Sequence, residues 1–140
     1  MIGTVLVTHP GLGEAFVNAI EYICGSTDWI RTVPIDIRED AETARSRIME
    51  NVNAVDRGHG VLIITDMFGG TPSNIALSLL EEGRIEVLTG LNLAMLMKLA
   101  TGPETESLGD LAVLLRKCGR EDIRLASHVI RSRKGDLPKE

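Results

Sequence analysis

Two short segments of the sequence are apolar on both faces of a predicted strand. Residues 2–8 (IGTVLVT) and residues 60–65 (GVLIIT) carry hydrophobic side chains at consecutive positions, and stretches with helical spacing lie between them. A strand with two apolar faces must be covered on both, and such strands belong to parallel sheets with helices on each side. The sequence therefore predicts an α/β protein.

The rest of the chain continues this alternation of strands and helices. Further strands are predicted at residues 29–37, 85–89 and 123–130, and the most hydrophobic run, residues 60–65, is predicted to be the central strand. At 140 residues, without internal repeats or linkers, the chain fits one domain with an open, mainly parallel sheet. The predicted helices span residues 13–24, 40 to about 55, 71–83, 93–100 and 107–119, with starts marked by Asp40, Thr71-Pro72, Asn92 and Ser107.

Two polar residues follow the two most apolar runs. His9 comes directly after the first run, and Asp66 comes directly after residues 60–65. In a parallel sheet both lie at the carboxyl ends of strands, where open α/β folds bind ligands. A lone histidine in such a place is more often structural than nucleophilic. A carboxylate in the matching position favours the functional interpretation, provided that the two strands are neighbours.

The pair of His9 and Asp66 suits the chemistry of a phosphate-accepting imidazole. A neutral imidazole has one bare nitrogen, and only that nitrogen can attack phosphorus. A carboxylate that accepts the Nδ1 proton fixes the tautomer, leaves Nε2 bare and stabilises the positive charge that develops on the ring. We therefore interpret His9 as the nucleophile and Asp66 as the group that orients and tunes it.

The segment after Asp66, MFGGTP, combines a glycine loop with a helix start. Glycines allow the backbone to approach a ligand closely, and the first N–H groups of a helix favour an anion. For the glycine pair alone, a tight turn that needs glycine only for its geometry is an equally good interpretation. The predicted phosphate-binding residues are Phe68, Gly69, Gly70 and Thr71.

Composition and motifs exclude several other functions. Aromatic residues make up only 3% of the chain and the formal net charge is -5, so neither base stacking nor attraction to a polyanion is expected. The segment 11–13 (GLG) lacks the complete dinucleotide-binding motif, and there is no Walker A motif. A metal site at His9 and Asp66 would lack a third ligand. We expect no nucleic-acid partner, no metal and no cofactor.

The cysteines and the N-terminus indicate the compartment. Cys24 and Cys118 are isolated, without metal-ligand or CxxC spacing, which is typical of a reducing environment. The sequence shows neither a signal-peptide pattern nor an apolar run of the roughly 20 residues that a membrane-spanning helix needs. We expect a soluble, cytoplasmic protein.

Taken together, these motifs resemble a known family. The strand ending in Thr8-His9, the segment 66–76 (DMFGGTPSNIA) and the segment 90–96 (GLNLAML) are similar to the IIA component of the mannose-type phosphotransferase system, of the mannose/fructose family. The similarity covers residues 1–130 as one domain and leaves residues 131–140 as a C-terminal tail. Pro10 departs from the transporter members and would alter only the rim of the site.

The resemblance implies a fold and an activity. The family fold is a parallel sheet in the order 2-1-3-4, flanked by helices, with a C-terminal antiparallel strand exchanged in a homodimer; residues 123–130 fit that strand. His9 would be the phosphorylated histidine, Asp66 its hydrogen-bonded carboxylate, and residues 68–71 the phosphate loop. The protein would be a phosphotransferase that accepts phosphate from the phosphohistidine of HPr, which enzyme I charges from phosphoenolpyruvate.

Two interpretations of the acceptor stay open. The first is the histidine of a IIB component, separate because no IIB domain is fused here, with peripheral association at a sugar permease in the membrane. The second is a regulatory protein without any permease, controlled by the phosphorylation state of His9. Phosphorylation of Asp66 itself, as in receiver domains, would need further acidic residues and a lysine that the sequence does not place convincingly.

Overall fold

Strands and helices alternate up to residue 100, as the sequence predicts, and two further helices follow. The computed structural model describes residues 2–103, 105 and 107–133. None of the helices in these ranges is both long enough and apolar enough to cross a membrane. The elements in chain order are β1 (Gly3–Thr8), α1 (Leu12–Cys24), β2 (Ile30–Pro34), α2 (Ala41–Val55), β3 (Val61–Thr65), α3 (Thr71–Leu77), β4 (Ile85–Thr89), α4 (Leu93–Ala100), α5 (Leu108–Glu121) and α6 (Ala126–Arg133).

The four strands form one parallel sheet in the order β2-β1-β3-β4. The expected order 2-1-3-4 is therefore confirmed. In the register of the two central strands, Leu6 lies beside Ile64 and Val7 beside Thr65. The chain reverses its direction of winding between β1 and β3, and this is the switch point at which ligands bind in open α/β sheets. The residues that follow β1 and β3 are consequently neighbours.

Two hydrophobic layers cover the sheet, one on each face. Successive side chains of a strand point to opposite faces, so Val5 and Val7 pack with α2 and α3 while Leu6 packs with α1, α4 and α5. The central strands are completely buried. This arrangement explains why β1 and β3 are apolar at nearly every position, and it confirms that helices lie on both faces.

Most predicted helix starts are confirmed by side-chain caps. Asp40, Asn92 and Ser107 each accept a hydrogen bond from the backbone N–H three residues further on. The third helix is shorter than predicted, since α3 ends at Leu77 rather than near residue 83. The backbone N–H of Glu81 donates to the carbonyl oxygen of Ile85 at 3.0 Å, and the N–H of Ile85 donates to the carbonyl oxygen of Glu81 at 2.8 Å. Because of this pairing, the chain turns back towards β4 and the helix does not continue.

The predicted last strand at residues 123–130 is wrong. The chain forms α6 over Ala126–Arg133, and none of its residues is buried. The apolar residues that gave the strand-like pattern, among them Ile123 and Leu125, are largely exposed at 78% and 58%. Among the residues that the structure describes, the segment predicted as the exchanged strand is therefore mostly helical, and the exchange itself stays a prediction.

The predicted domain limits fall in the same region. Residue 130 lies within α6, and residues 131–133 of the predicted tail continue that helix. Residues 134–140 lie outside the described part of the chain. The division into a domain at 1–130 and a tail at 131–140 stays a prediction.

Candidate functional site

His9 and Asp66, 57 positions apart in the sequence, are in direct contact. His9 follows β1, Asp66 follows β3, and the ring Nδ1 of His9 lies 2.6 Å from Oδ2 of Asp66. The contact exists because β1 and β3 are adjacent and parallel, so both strands deliver their next residue to the same edge of the sheet. The structure thus brings together the two residues that the sequence singled out.

Asp66 holds the main chain of His9 as well as its ring. The backbone N–H of His9 donates to Oδ2 of Asp66 at 2.9 Å, and the backbone N–H of Met67 donates to Oδ1 at 3.0 Å. The carboxylate is nearly buried, with 9% of its side chain exposed, whereas 35% of the His9 side chain is exposed. The carboxylate is therefore fixed on three sides and the imidazole keeps one open side.

These contacts determine the protonation of the pair. Burial by itself raises the pKa of Asp66, but the hydrogen bonds from the amide and ring of His9 and from the amide of Met67 outweigh it, so that the pKa lies below its ordinary value of 3.8. An ionised carboxylate only accepts hydrogen bonds, and so the donor in the 2.6 Å contact is the ring Nδ1. In the neutral imidazole Nε2 then carries the bare lone pair.

The two glycines after Phe68 serve different purposes. Gly69 has a φ of +93°, a left-handed conformation that other residues rarely adopt. Gly70 has an ordinary extended conformation, but a Cβ atom there would lie 3.2 Å from Cε1 and 3.8 Å from Nε2 of His9. The turn therefore needs one glycine for its geometry and the other for its close approach to the imidazole.

The predicted phosphate loop, residues 68–71, leads into α3 and has backbone N–H groups that are not used in hydrogen bonds to other described residues. Gly70 precedes the first turn of α3, and its carbonyl accepts from the N–H of Asn74 at 2.9 Å. Within the described ranges, the backbone N–H groups of Phe68, Gly69, Gly70 and Thr71 donate to no other group. The side chains of Phe68 and Thr71 are exposed. Of the two glycines in this loop, Gly70 is the one at which an added Cβ atom would meet the His9 ring.

Sequence reasoning missed the contribution of Thr8. This residue is 1% exposed, and its hydroxyl is hydrogen-bonded to the backbone on both sides of the turn that carries His9. The sequence analysis treated it only as the end of a strand. A polar side chain at a buried strand position must find a hydrogen-bond partner, and that requirement could have drawn attention to it.

One groove in the described part of the chain lies away from this site. Its volume is about 1340 Å³, and it is lined by residues at the amino ends of the strands, including Ile2, His59 and Ile85. It is thus at the end of the sheet opposite His9. No three His, Cys, Asp or Glu side chains in the described residues are grouped so that they could hold a metal ion.

The fold and the site define a parallel α/β protein with a histidine–carboxylate pair at the switch point of its sheet. Residues 3–114 match the family model EIIA-man, described as the PTS system fructose IIA component. The chain therefore belongs to this family, the IIA components of the mannose and fructose type of phosphotransferase system.

Individual relatives agree with this assignment. The sorbose-specific EIIA component of Lacticaseibacillus casei is 31% identical over 120 residues, which cover 84% of this chain and 85% of that protein. The mannose-specific EIIAB component of Escherichia coli K12 is 30% identical over 128 residues, 88% of this chain but only 39% of that longer protein. An EIIA structure from Streptococcus agalactiae superimposes with a TM-score of 0.79 at 26% identity, covering 91% of this chain and 98% of the other.

The lowered pKa of Asp66 predicts a specific dependence of stability on pH. Because the folded-state pKa lies below 3.8, the ionised carboxylate stabilises the fold at pH values above 3.8, and this stabilisation is lost as the pH falls through the folded-state pKa. Asp66→Asn cannot titrate. The free energy of unfolding of the wild type, measured relative to Asp66→Asn by urea denaturation, should decrease as the pH is lowered from 6 towards 2.

Asp28→Asn removes an exposed carboxylate and controls for the change in net charge. A difference between wild type and Asp66→Asn that stays constant over this pH range would contradict the assigned ionisation.

Proposed function

We propose that this protein is a phosphohistidine carrier. Nε2 of His9 accepts a phosphoryl group from the phosphohistidine of HPr and passes it to a histidine of a IIB-type component during sugar uptake. The observation that carries the proposal is the 2.6 Å contact between Nδ1 of His9 and Asp66, which leaves Nε2 bare on a side chain that is 35% exposed. Membership of the IIA family supports the choice of donor and acceptor.

The transfer step needs only the groups at this edge of the sheet. The lone pair of Nε2 attacks phosphorus while the bond between phosphorus and the donor imidazole nitrogen breaks, and that nitrogen keeps the bonding electrons. The His9 ring keeps its Nδ1 proton and becomes positively charged as the new bond forms. The ionised Asp66, in contact with Nδ1, stabilises this charge. Transfer to the acceptor runs through the same steps in reverse.

The loop at residues 68–71 is proposed to bind the oxygens of the transferred phosphoryl group. Its backbone N–H groups are unused within the described ranges, and the partial positive charge at the start of α3 favours an anion. Gly70 keeps the space next to Nε2 free of a side chain. Donors of this kind stabilise charge without a lysine or arginine in the loop.

The rim of the site suits contact with other proteins. Three exposed apolar residues lie near His9 and Asp66 in the chain: Leu12 at the start of α1, and Met67 and Phe68 in the loop after Asp66, with Phe68 73% exposed. A phosphoryl group can move between two imidazoles only if the two protein surfaces come into contact, and exposed apolar side chains are typical of such surfaces. We assign this rim to the docking of HPr and of the acceptor.

Three further features belong to the proposal. The protein acts in the cytoplasm, in keeping with the free cysteines Cys24 and Cys118, and it meets the membrane only through a permease complex. Two copies of the chain associate as a homodimer, for which the exposed Ile123, Leu125 and Ile130 offer an apolar surface.

Loss of the nucleophile should abolish phosphorylation. We expect labelled phosphoenolpyruvate, with enzyme I and HPr, to transfer phosphate to the wild type and not to His9→Ala, and the bound phosphate to be labile in acid and stable in alkali. His59→Ala, which changes a histidine at the opposite end of the sheet, is the matched control and should be labelled fully. Label on His9→Ala, measured by mass mapping, would overturn the proposal.

A methyl group at position 70 should slow the transfer without unfolding the protein. Gly70→Ala fits the local backbone, with φ −86° and ψ 172°, but places a methyl group 3.2 Å from Cε1 and 3.8 Å from Nε2 of His9. Because a displacement of the reacting atoms by about 1 Å costs up to roughly a hundredfold in rate, we expect transfer from phospho-HPr to be about ten- to a hundredfold slower.

The matched control is Gly109→Ala, whose methyl group meets only the Oγ of Ser107, at 3.9 Å. It should transfer phosphate at the wild-type rate. An equal rate for Gly70→Ala, measured in a single turnover, would show that the loop does not need to approach the imidazole.

A further inference from the structure

Thr8 is a buried polar residue directly before the imidazole. Its hydroxyl donates to the carbonyl oxygen of His9 at 2.7 Å and accepts from the backbone N–H of Gly13 at 3.1 Å. Its own carbonyl accepts from the N–H of Ile35, just after β2, at 2.8 Å. One side chain thus connects the end of β1, the residue that carries the imidazole and the first turn of α1.

Side chains hold both polar groups of the His9 backbone. Asp66 accepts the N–H at 2.9 Å, and Thr8 donates to the carbonyl oxygen at 2.7 Å. Within the described residues, the one further bond to that carbonyl is longer, 3.4 Å from the N–H of Leu12. The position of the imidazole against Asp66 therefore depends on a backbone segment that is fixed from two directions.

We propose that Thr8 is a positioning residue for phosphoryl transfer at His9. Its hydroxyl fixes the turn between β1 and α1, keeps Nδ1 of His9 against Asp66 and keeps Nε2 next to Gly70. Thr8 touches none of the reacting atoms and acts through the His9 carbonyl. The expected effect of Thr8 on the transfer rate rests on the proposed function. Its expected effect on the geometry of the imidazole ring does not.

The packing around Thr8 matches this assignment. A Cβ atom on Gly13 would lie 3.3 Å from Oγ1 of Thr8 and 3.4 Å from Cγ2 of Thr32. A side chain at position 13 would therefore push against the hydroxyl. Replacing Thr8 by valine keeps the shape but leaves the buried N–H of Gly13 and the carbonyl of His9 without this bond, so the turn must rearrange to satisfy them.

The same strand contains a matched control. Thr4 lies on β1 four residues before Thr8, on the same face of the sheet, and is fully buried. Its hydroxyl has no hydrogen-bond partner in the described structure. Thr4→Val and Thr8→Val thus make the same chemical change at two buried positions, but only the second breaks hydrogen bonds to the turn that carries His9.

The test compares wild type, Thr8→Val, Thr8→Ser and Thr4→Val in two measurements. The first is the single-turnover rate of phosphorylation, both by phospho-HPr and by phosphoramidate, a small donor whose P–N bond breaks to release ammonia. The second is the ¹⁵N NMR spectrum of the unphosphorylated imidazole, which reports the Nδ1–H tautomer. If Thr8 contributed only to the overall stability of the fold, a Thr8 variant that still folds would show the wild-type rate and the wild-type imidazole spectrum.

For Thr8→Val we expect phosphorylation about ten- to a hundredfold slower with both donors, because the reacting nitrogen is displaced. We also expect an imidazole spectrum with a smaller fraction of the Nδ1–H tautomer. Thr8→Ser keeps the hydroxyl and can still make both hydrogen bonds, so its rate should return to within about threefold of wild type. Thr4→Val should match wild type in both measurements.

Several results would overturn the inference. A Thr8→Val variant that matches Thr4→Val in rate and spectrum would do so. If Thr8→Val does not fold, Gly13→Ala pushes on the same hydroxyl from a helical position, and an unchanged rate and spectrum for that variant would count equally against it. A wild type that accepts phosphate from neither donor would instead refute the proposed function, while the imidazole spectra would still decide whether Thr8 positions the ring.

Discussion

The contact between Nδ1 of His9 and the carboxylate of Asp66 is the interaction on which the site depends. It decides which ring nitrogen carries the proton, and thereby which one can act as a nucleophile. It also places a negative charge where positive charge develops during transfer. The carboxylate stays ionised because three hydrogen bonds outweigh the effect of its burial, and the same bonds fix it in place while 35% of the His9 side chain remains exposed.

The sheet makes this contact possible, and the loops complete it. Adjacent parallel strands bring residues 9 and 66 to one edge, and the apolar layers on both faces hold β1 and β3 rigidly in register. Gly70 then approaches the ring from the α3 side, while Thr8 fixes the backbone from the α1 side. The chemistry thus takes place on short loops whose positions are set by a buried scaffold, as is typical of binding sites in α/β proteins.

Much of this arrangement can be predicted from the sequence, because burial on two faces leaves a clear pattern. The apolar runs that became β1 and β3 indicated a parallel sheet, and the polar residue after each run indicated the edge where they meet. The pattern failed at residues 123–130, since it cannot distinguish apolar residues that are buried in a sheet from residues such as Ile123 that are exposed. The hydrogen bonds of Thr8 and the small space between Gly70 and the ring depend on distances that no local pattern contains.

The most direct test of the account is to identify the atom that carries the phosphate. The protein, labelled with ¹⁵N in its histidines, would be phosphorylated by phosphoenolpyruvate, enzyme I and HPr and then studied by ¹⁵N and ³¹P NMR. Because Asp66 occupies Nδ1 of His9, we predict that phosphorus is bonded to Nε2 of that ring. A phosphorus–nitrogen bond at Nδ1, or an acyl phosphate on Asp66, would contradict the account.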